Sequence, residues 1–145
     1  KCKNILSQLV ELSRETDIFG PILSIPGIGE NLAARIVAEI GDVTRFKGPK
    51  QLIAYAGTDP HVYQSGIRDG LHLSISKKGN KNLRTVLYLA VSCHLRTKTK
   101  NTTVITEFYE KKKQQGKPHR VAQVASLNKL IKVIYSVSIN KTIFE

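Results

Sequence analysis

The residues best suited to chemistry in this 145-residue chain lie in LSISKKGNKNLR, Leu73 to Arg84, where Ser74 and Ser76 precede Lys77, Lys78, Lys81 and Arg84. A serine hydroxyl can attack phosphorus, and cations around the same phosphate stabilise the charge that builds as the new bond forms. If LHLSIS is extended, Leu71, Leu73 and Ile75 face one side and His72, Ser74 and Ser76 the other, since successive side chains of a strand alternate. His72 shares the serine face but sits roughly 13–14 Å from Ser76 along an ideal strand, so the two do not make a triad. On composition alone the bland reading is favoured, a turn or capping serine beside solvated lysines, and Ser65, Ser74 and Ser92 compete for any role.

A second phosphate-directed pattern is IPGIGENLAARIV. Gly27 and Gly29 flank Ile28 at the head of a helix, leaving backbone N–H groups and the positive end of the helix dipole facing outward. The Gly-Lys-Ser/Thr ending of a mononucleotide loop is missing, as are the preceding strand and third glycine of a dinucleotide fingerprint. The pattern resembles the helix-hairpin-helix module over about 21–40, in which a Pro-Gly-x-Gly hairpin offers amides to a DNA phosphate without reading bases. Against this stands a plain tight turn whose Ile28 plugs the core.

Charge narrows the partner. Lys and Arg outnumber Asp and Glu by 23 to 11, giving a formal charge of +12, which favours a polyanion over an acidic small molecule. Nucleic acid leads, with an anionic membrane surface behind it. No acidic residue lies between Asp69 and Glu107, while Lys77, Lys78, Lys81, Arg84, Arg96, Lys98 and Lys100 accumulate there. Cys2 and Cys93 cannot form a disulfide framework and fit no metal-ligand spacing with His61, His72, His94 or His119, so no metal site is expected and a reducing cytoplasm is. No apolar run is long enough to span a bilayer and the lysine-rich start lacks the apolar core of a signal peptide, so no membrane partner is expected. The chain has no methionine and begins at Lys1, which leads to the expectation of a fragment of a longer protein.

These residues must be positioned by helices. With 41% apolar residues the chain suits one compact domain or two small helical subdomains sharing a core. Helical spacing is expected in NILSQLVELSRETDIF, in the helix ending at Gly41, in GPKQLIAYAG between Pro49 and Gly57, and in NLRTVLYLAVSCHL, capped by Asn80 or Asn82. TTVITEFYEKKKQQ and HRVAQVASLNKLIKVIYSVSI complete the set, the last burying Val121, Val124, Ala125, Leu127, Leu130, Ile131 and Ile134. Between Thr58 and Asn80 the helical period fails, and this is the one place where extended structure is expected. The fold class is therefore mainly α, a helical domain with a helix-hairpin-helix-like motif and a short β-hairpin or extended segment.

Taken together, LSIPGIGENLAARIVAEIGDVTRFKGPKQLIAYAGTDP, SISKKGNKNLRTVLYLAVSCHL and GKPHRVAQVASLNKLIKVIY resemble the C-terminal transposase domain of the DEDD insertion-sequence transposases. That group includes Piv-type DNA invertases and bridge-RNA-guided recombinases. The resemblance runs from Phe19 to about Tyr135 and implies residues 1–20 as the end of a linker or coiled-coil helix and residues 21–145 as the C-terminal domain. The serine motif is at about 71–84. It further implies a prokaryotic cytoplasmic enzyme that acts on DNA, with an N-terminal RuvC-like domain whose four acidic residues hold magnesium, and a homo-oligomeric assembly. Some members also use a structured guide RNA. Carried onto this sequence, the nucleophile is Ser76, with Gly79, Leu83 and Arg84 completing the motif.

The departure from the whole-enzyme pattern is the missing acidic tetrad, since the eleven carboxylates are scattered. The expectation is thus a chain that binds DNA or structured RNA through Gly27, Gly29, Lys77, Lys78, Lys81 and Arg84, carries Ser76, and does not cut DNA alone. The alternative is a non-catalytic helix-hairpin-helix nucleic-acid-binding module in which Ser76 is structural. A base-excision glycosylase is a third possibility, for which Asp42 and Asp59 are available, although the chain is short for that fold.

Overall fold

The computed structural model describes residues 1–60, 75–97 and 102–145. Seven α-helices and a 3-10 turn account for most of them. They are α1 (Cys2–Arg14), α2 (Phe19–Leu23), α3 (Glu30–Ile40), the turn Val43–Arg45, α4 (Pro49–Ala56), α5 (Lys81–Arg96), α6 (Val104–Gln114) and α7 (His119–Asn140). The fold is mainly α, as the periodicity requires. Of the stretch between Thr58 and Asn80 where extended structure is expected, residues 61–74 lie outside the described residues. Ile75 forms an isolated antiparallel bridge with Pro60, and no strand occurs among the described residues.

Local chemistry sets the helix boundaries. Pro49 opens α4 at its first turn, where a missing N–H costs nothing, and Gly57 closes it in the left-handed region at φ 73°. Asn80 caps α5, its side chain accepting from the Leu83 N–H at 3.0 Å. Thr103 and Thr106 form a reciprocal capping box at the start of α6. Gly41 ends α3 with φ 66°.

The long helix α7 is the centre of the molecule and packs against α2, α4, α5, α6 and the 3-10 turn. Its Leu127, Leu130, Ile131 and Ile134 are almost wholly buried, each worth roughly 1.5–3 kcal/mol of apolar transfer. Of the other residues expected in this core, Val121 is 41% exposed and Val124 and Ala125 are only half-buried, because the buried stripe of the first turns of α7 runs through Ala122, Gln123 and Ser126. Helix α3 buries Ala33, Ala34, Ile36, Val37 and Ile40 against α1, α2 and α5, while Leu32 is only half-buried. Helix α1 leans on α3 through Val10 and Ser13 and leaves Ile5 and Leu12 exposed. Its Arg14 pairs with Glu30 at 2.6 Å, an exposed contact worth under about 1 kcal/mol.

Candidate functional site

The segment carrying Ser76 is held against the C-terminus of α4 by backbone hydrogen bonds. The Ser76 N–H donates to the Asp59 carbonyl at 2.8 Å, Lys77 N–H to Gly57 at 3.0 Å and Asn80 N–H to Tyr55 at 2.6 Å. Helix-end carbonyls that lack intrahelical donors are satisfied this way, so the loop completes α4 as it positions itself. Gly79 fits because it has no side chain, since a Cβ there would overlap the Tyr55 carbonyl and the Gly57 nitrogen. Lys77 adopts φ 55°, a left-handed conformation uncommon for a side chain with a Cβ. Arg84 reaches from α5 to donate to the Ala56 carbonyl at 3.2 Å, and a Cβ on Gly57 would lie 2.7 Å from the same guanidinium nitrogen.

Behind the loop, the Asn80 side-chain amide donates to Glu39 Oε2 at 2.9 Å and to the Tyr55 hydroxyl at 3.1 Å. The Asn80 bond, followed by Arg45, lowers the pKa of the Tyr55 hydroxyl. The Arg45 guanidinium stacks 4.7 Å from the ring centroids of both Phe46 and Tyr55. This buttress ties α3, α4 and the start of α5 into one support for the serine loop.

At the front, Ser76 is half-buried and its hydroxyl donates to Asp59 Oδ1 at 2.5 Å. The Lys78 N–H donates to Ser76 Oγ at 3.4 Å. Lys77, Lys78 and Lys81 are exposed, and Arg84 is half-buried. These cations gather at the N-terminus of α5, where the helix dipole is itself positive and no acidic residue occupies the first turn. Cations are disfavoured at that end of a helix, so the arrangement concentrates a positive potential suited to an anion.

The two glycines of the turn between α2 and α3 have different surroundings. Gly27, at φ 88°, lies against the α5 backbone, where a Cβ would come within 2.6 Å of His94 N and Cα. Close packing and backbone conformation thus both require glycine there. Gly29 caps α3 with no side-chain hydrogen bond, and open space faces the position of a Cβ. The turn between α2 and α3 touches α5 at His94 and the serine loop meets it at Lys81, about 20 Å apart along the helix axis at 1.5 Å per residue. They do not converge on one phosphate.

Three residues that matter to this arrangement were not singled out for it by local sequence pattern. Asp59 is 17 residues from Ser76. His94 is buried, with Nδ1 2.6 Å from the Pro26 carbonyl and Nε2 2.7 Å from the Thr103 hydroxyl. Burial lowers its pKa, while the bond to Pro26 works the other way. In the neutral tautomer, Nδ1–H donates to Pro26 and Nε2 accepts from Thr103. Asn128 of α7 donates to the Thr58 carbonyl at 3.1 Å, bracing the residue next to Asp59. Asp42, by contrast, is occupied as a cap, accepting from the Thr44 N–H and hydroxyl, and these bonds lower its pKa.

Residues 21–110 match the family model of the Transposase IS116/IS110/IS902 family. The chain is 30% identical over 131 residues to the pilin gene-inverting protein of Moraxella lacunata, covering 90% of this chain and 40% of that protein. It is 34% identical over 116 residues to the transposase for insertion sequence element IS1111A of Coxiella burnetii, covering 80% and 31%. An uncharacterised 43.6 kDa protein of insertion element IS110 from Streptomyces coelicolor is 27% identical over 133 residues, covering 90% and 31%. The chain therefore spans less than half the length of these relatives. With most of its length matched in this way, the chain belongs to the IS116/IS110/IS902 transposase family.

Proposed function

We propose that this chain is the serine-bearing part of a DNA transposase or site-specific recombinase, binding DNA and supplying Ser76 as the nucleophile for strand cleavage and exchange. The observation that carries this reading is the Ser76 hydroxyl, held on a braced loop beside Lys77 and Lys78 at the positive end of α5. Ser76 Oγ attacks a backbone phosphate, and the lysines and Arg84 bind and neutralise its oxygens. Lys81, one turn on, and the open amides around Gly29 contact neighbouring phosphates and set register without reading sequence.

Magnesium belongs to this proposal only through acidic residues outside the chain, in a RuvC-like domain of the whole enzyme. Among the described residues no three His, Cys, Asp or Glu side chains gather into a donor set, and no step is assigned to a metal here. Homo-oligomeric assembly and, for guided members, a structured RNA partner belong to the same proposal. On this reading the chain alone binds DNA without exchanging strands. No helix among the described residues is long and apolar enough to cross a membrane.

The test is Ser76→Ala in the full-length protein. Recombination should be abolished while DNA affinity stays within about threefold. Surviving recombination would remove the nucleophile assignment and leave the non-catalytic binding module in its place.

A further inference from the structure

We infer that Asp59 is the general base that takes the proton from Ser76, an inference that rests on the reading of Ser76 as the nucleophile. The hydroxyl-to-carboxylate distance of 2.5 Å falls in the range of charge-assisted O–H···O⁻ bonds. It also meets the first requirement for a base, direct hydrogen-bond reach to the proton it removes. The Ser76 backbone N–H on the Asp59 carbonyl and the Lys77 N–H on Gly57 lock the two segments in register, so Oγ and Oδ1 face each other without relying on their own bond. Lys77, Lys78, Lys81 and Arg84 all come from the serine loop or α5, yet none pairs with Asp59 within 4 Å among the described residues. The carboxylate is directed at the hydroxyl, and the cations remain available to the phosphate that the carboxylate would otherwise repel.

The step balances as follows. The Ser76 Oγ–H proton passes to Asp59 Oδ1 as the Oγ electron pair forms the bond to phosphorus. The phosphorus–oxygen bond to the sugar breaks, and the leaving sugar oxygen keeps that electron pair and takes a proton from solvent. In the joining step an incoming sugar hydroxyl gives its proton to solvent as it attacks the phosphoserine. Ser76 Oγ then leaves with its electron pair and recovers the proton from Asp59.

The experiment measures the rate at which the full-length protein forms a covalent protein–DNA adduct on its DNA substrate, for wild type, Ser76→Ala and Asp59→Asn. Asparagine keeps the size and the hydrogen-bond acceptor but is not a base, so a purely positioning role survives the change. Asp59→Asn should slow adduct formation by about 100-fold or more, within the range general-base catalysis contributes, with DNA affinity unchanged or tighter. A smaller loss, with Ser76→Ala forming no adduct, overturns the role of Asp59 and leaves Ser76 standing. An adduct that persists in Ser76→Ala overturns the nucleophile reading itself. Should Asp59→Asn melt below the assay temperature, Asp59→Glu is compared with Asp59→Gln. A 100-fold advantage for the acid is expected, and equal rates overturn the inference.

Discussion

The imidazole of His94 bridges the turn between α2 and α3 and the start of α6, with Nδ1 2.6 Å from the Pro26 carbonyl and Nε2 2.7 Å from Thr103 Oγ1. One side chain of α5 thus fastens two segments that flank it, while Gly27 lets the turn approach the α5 backbone closely enough for the bond to form. Burial favours the neutral ring.

This gives a pH dependence with a defined sign. His94 is harder to protonate when folded, so the unfolded chain binds more protons as pH falls below its ordinary value of about 6.5. The contribution is fully present above that pH and is lost as pH drops towards the depressed folded value. Thermal melting between pH 7.5 and 5 should show falling Tm in the wild type and a flatter profile in His94→Gln, whose Tm is lower at pH 7.5. Parallel profiles would contradict the assignment.

Gly79 has no room for a methyl group, because Tyr55 and Gly57 occupy the space. Gly79→Ala should destabilise the chain by about 2 kcal/mol through overpacking, lowering Tm by roughly 4–8 °C. Recombination should fall further than stability alone explains, since the displaced segment carries Ser76. Differential scanning calorimetry and a recombination assay below both melting points separate the two effects.

Asn80→Ala removes the α5 cap together with the bonds to Glu39 and Tyr55. A loss of at least about 1 kcal/mol is expected from the cap, read as a lower urea midpoint. The Tyr55 hydroxyl should then titrate closer to its ordinary value, because its main hydrogen-bond partner is gone.

Lys78 and Arg84 should behave differently although both are cations near Ser76, one in the serine loop and one in α5. Lys78→Ala should leave Tm unchanged, weaken DNA binding about equally for all sequences, and reduce the salt slope of log K by about 1. Arg84→Ala should weaken binding and also lower Tm, because Arg84 satisfies the Ala56 carbonyl as well. Fluorescence anisotropy titrations across salt concentrations provide the comparison.

The helical architecture was legible because its signals are local. Pro49, Gly57, Gly41 and Asn80 mark boundaries within a few residues of the helices they limit, and the apolar spacing of α3 and of α7 from Leu127 onward names the buried faces. Contacts over long separations were not. Pro26 and His94 lie 68 residues apart, so the sequence of the turn between α2 and α3 offers a phosphate mouth or a tight turn with Ile28 in the core, where Ile28 is indeed buried, but gives no sign that Gly27 meets α5. Asp59 and Ser76 are 17 residues apart with no period linking them, and the sequence offers Asp59 only as a carboxylate available to the glycosylase alternative. Val121 fits an apolar stripe of α7, yet the buried face there includes the polar Gln123 and Ser126, which hydropathy alone does not pick out.

The central claim is that Ser76 becomes covalently joined to DNA, and mass spectrometry of the trapped protein–DNA adduct tests it most directly. After nuclease trimming and proteolysis, the peptide containing Ser76 should carry the mass of a residual nucleotide, attached through the Ser76 hydroxyl. Attachment at another residue, or efficient strand exchange with no adduct on this chain, would contradict it.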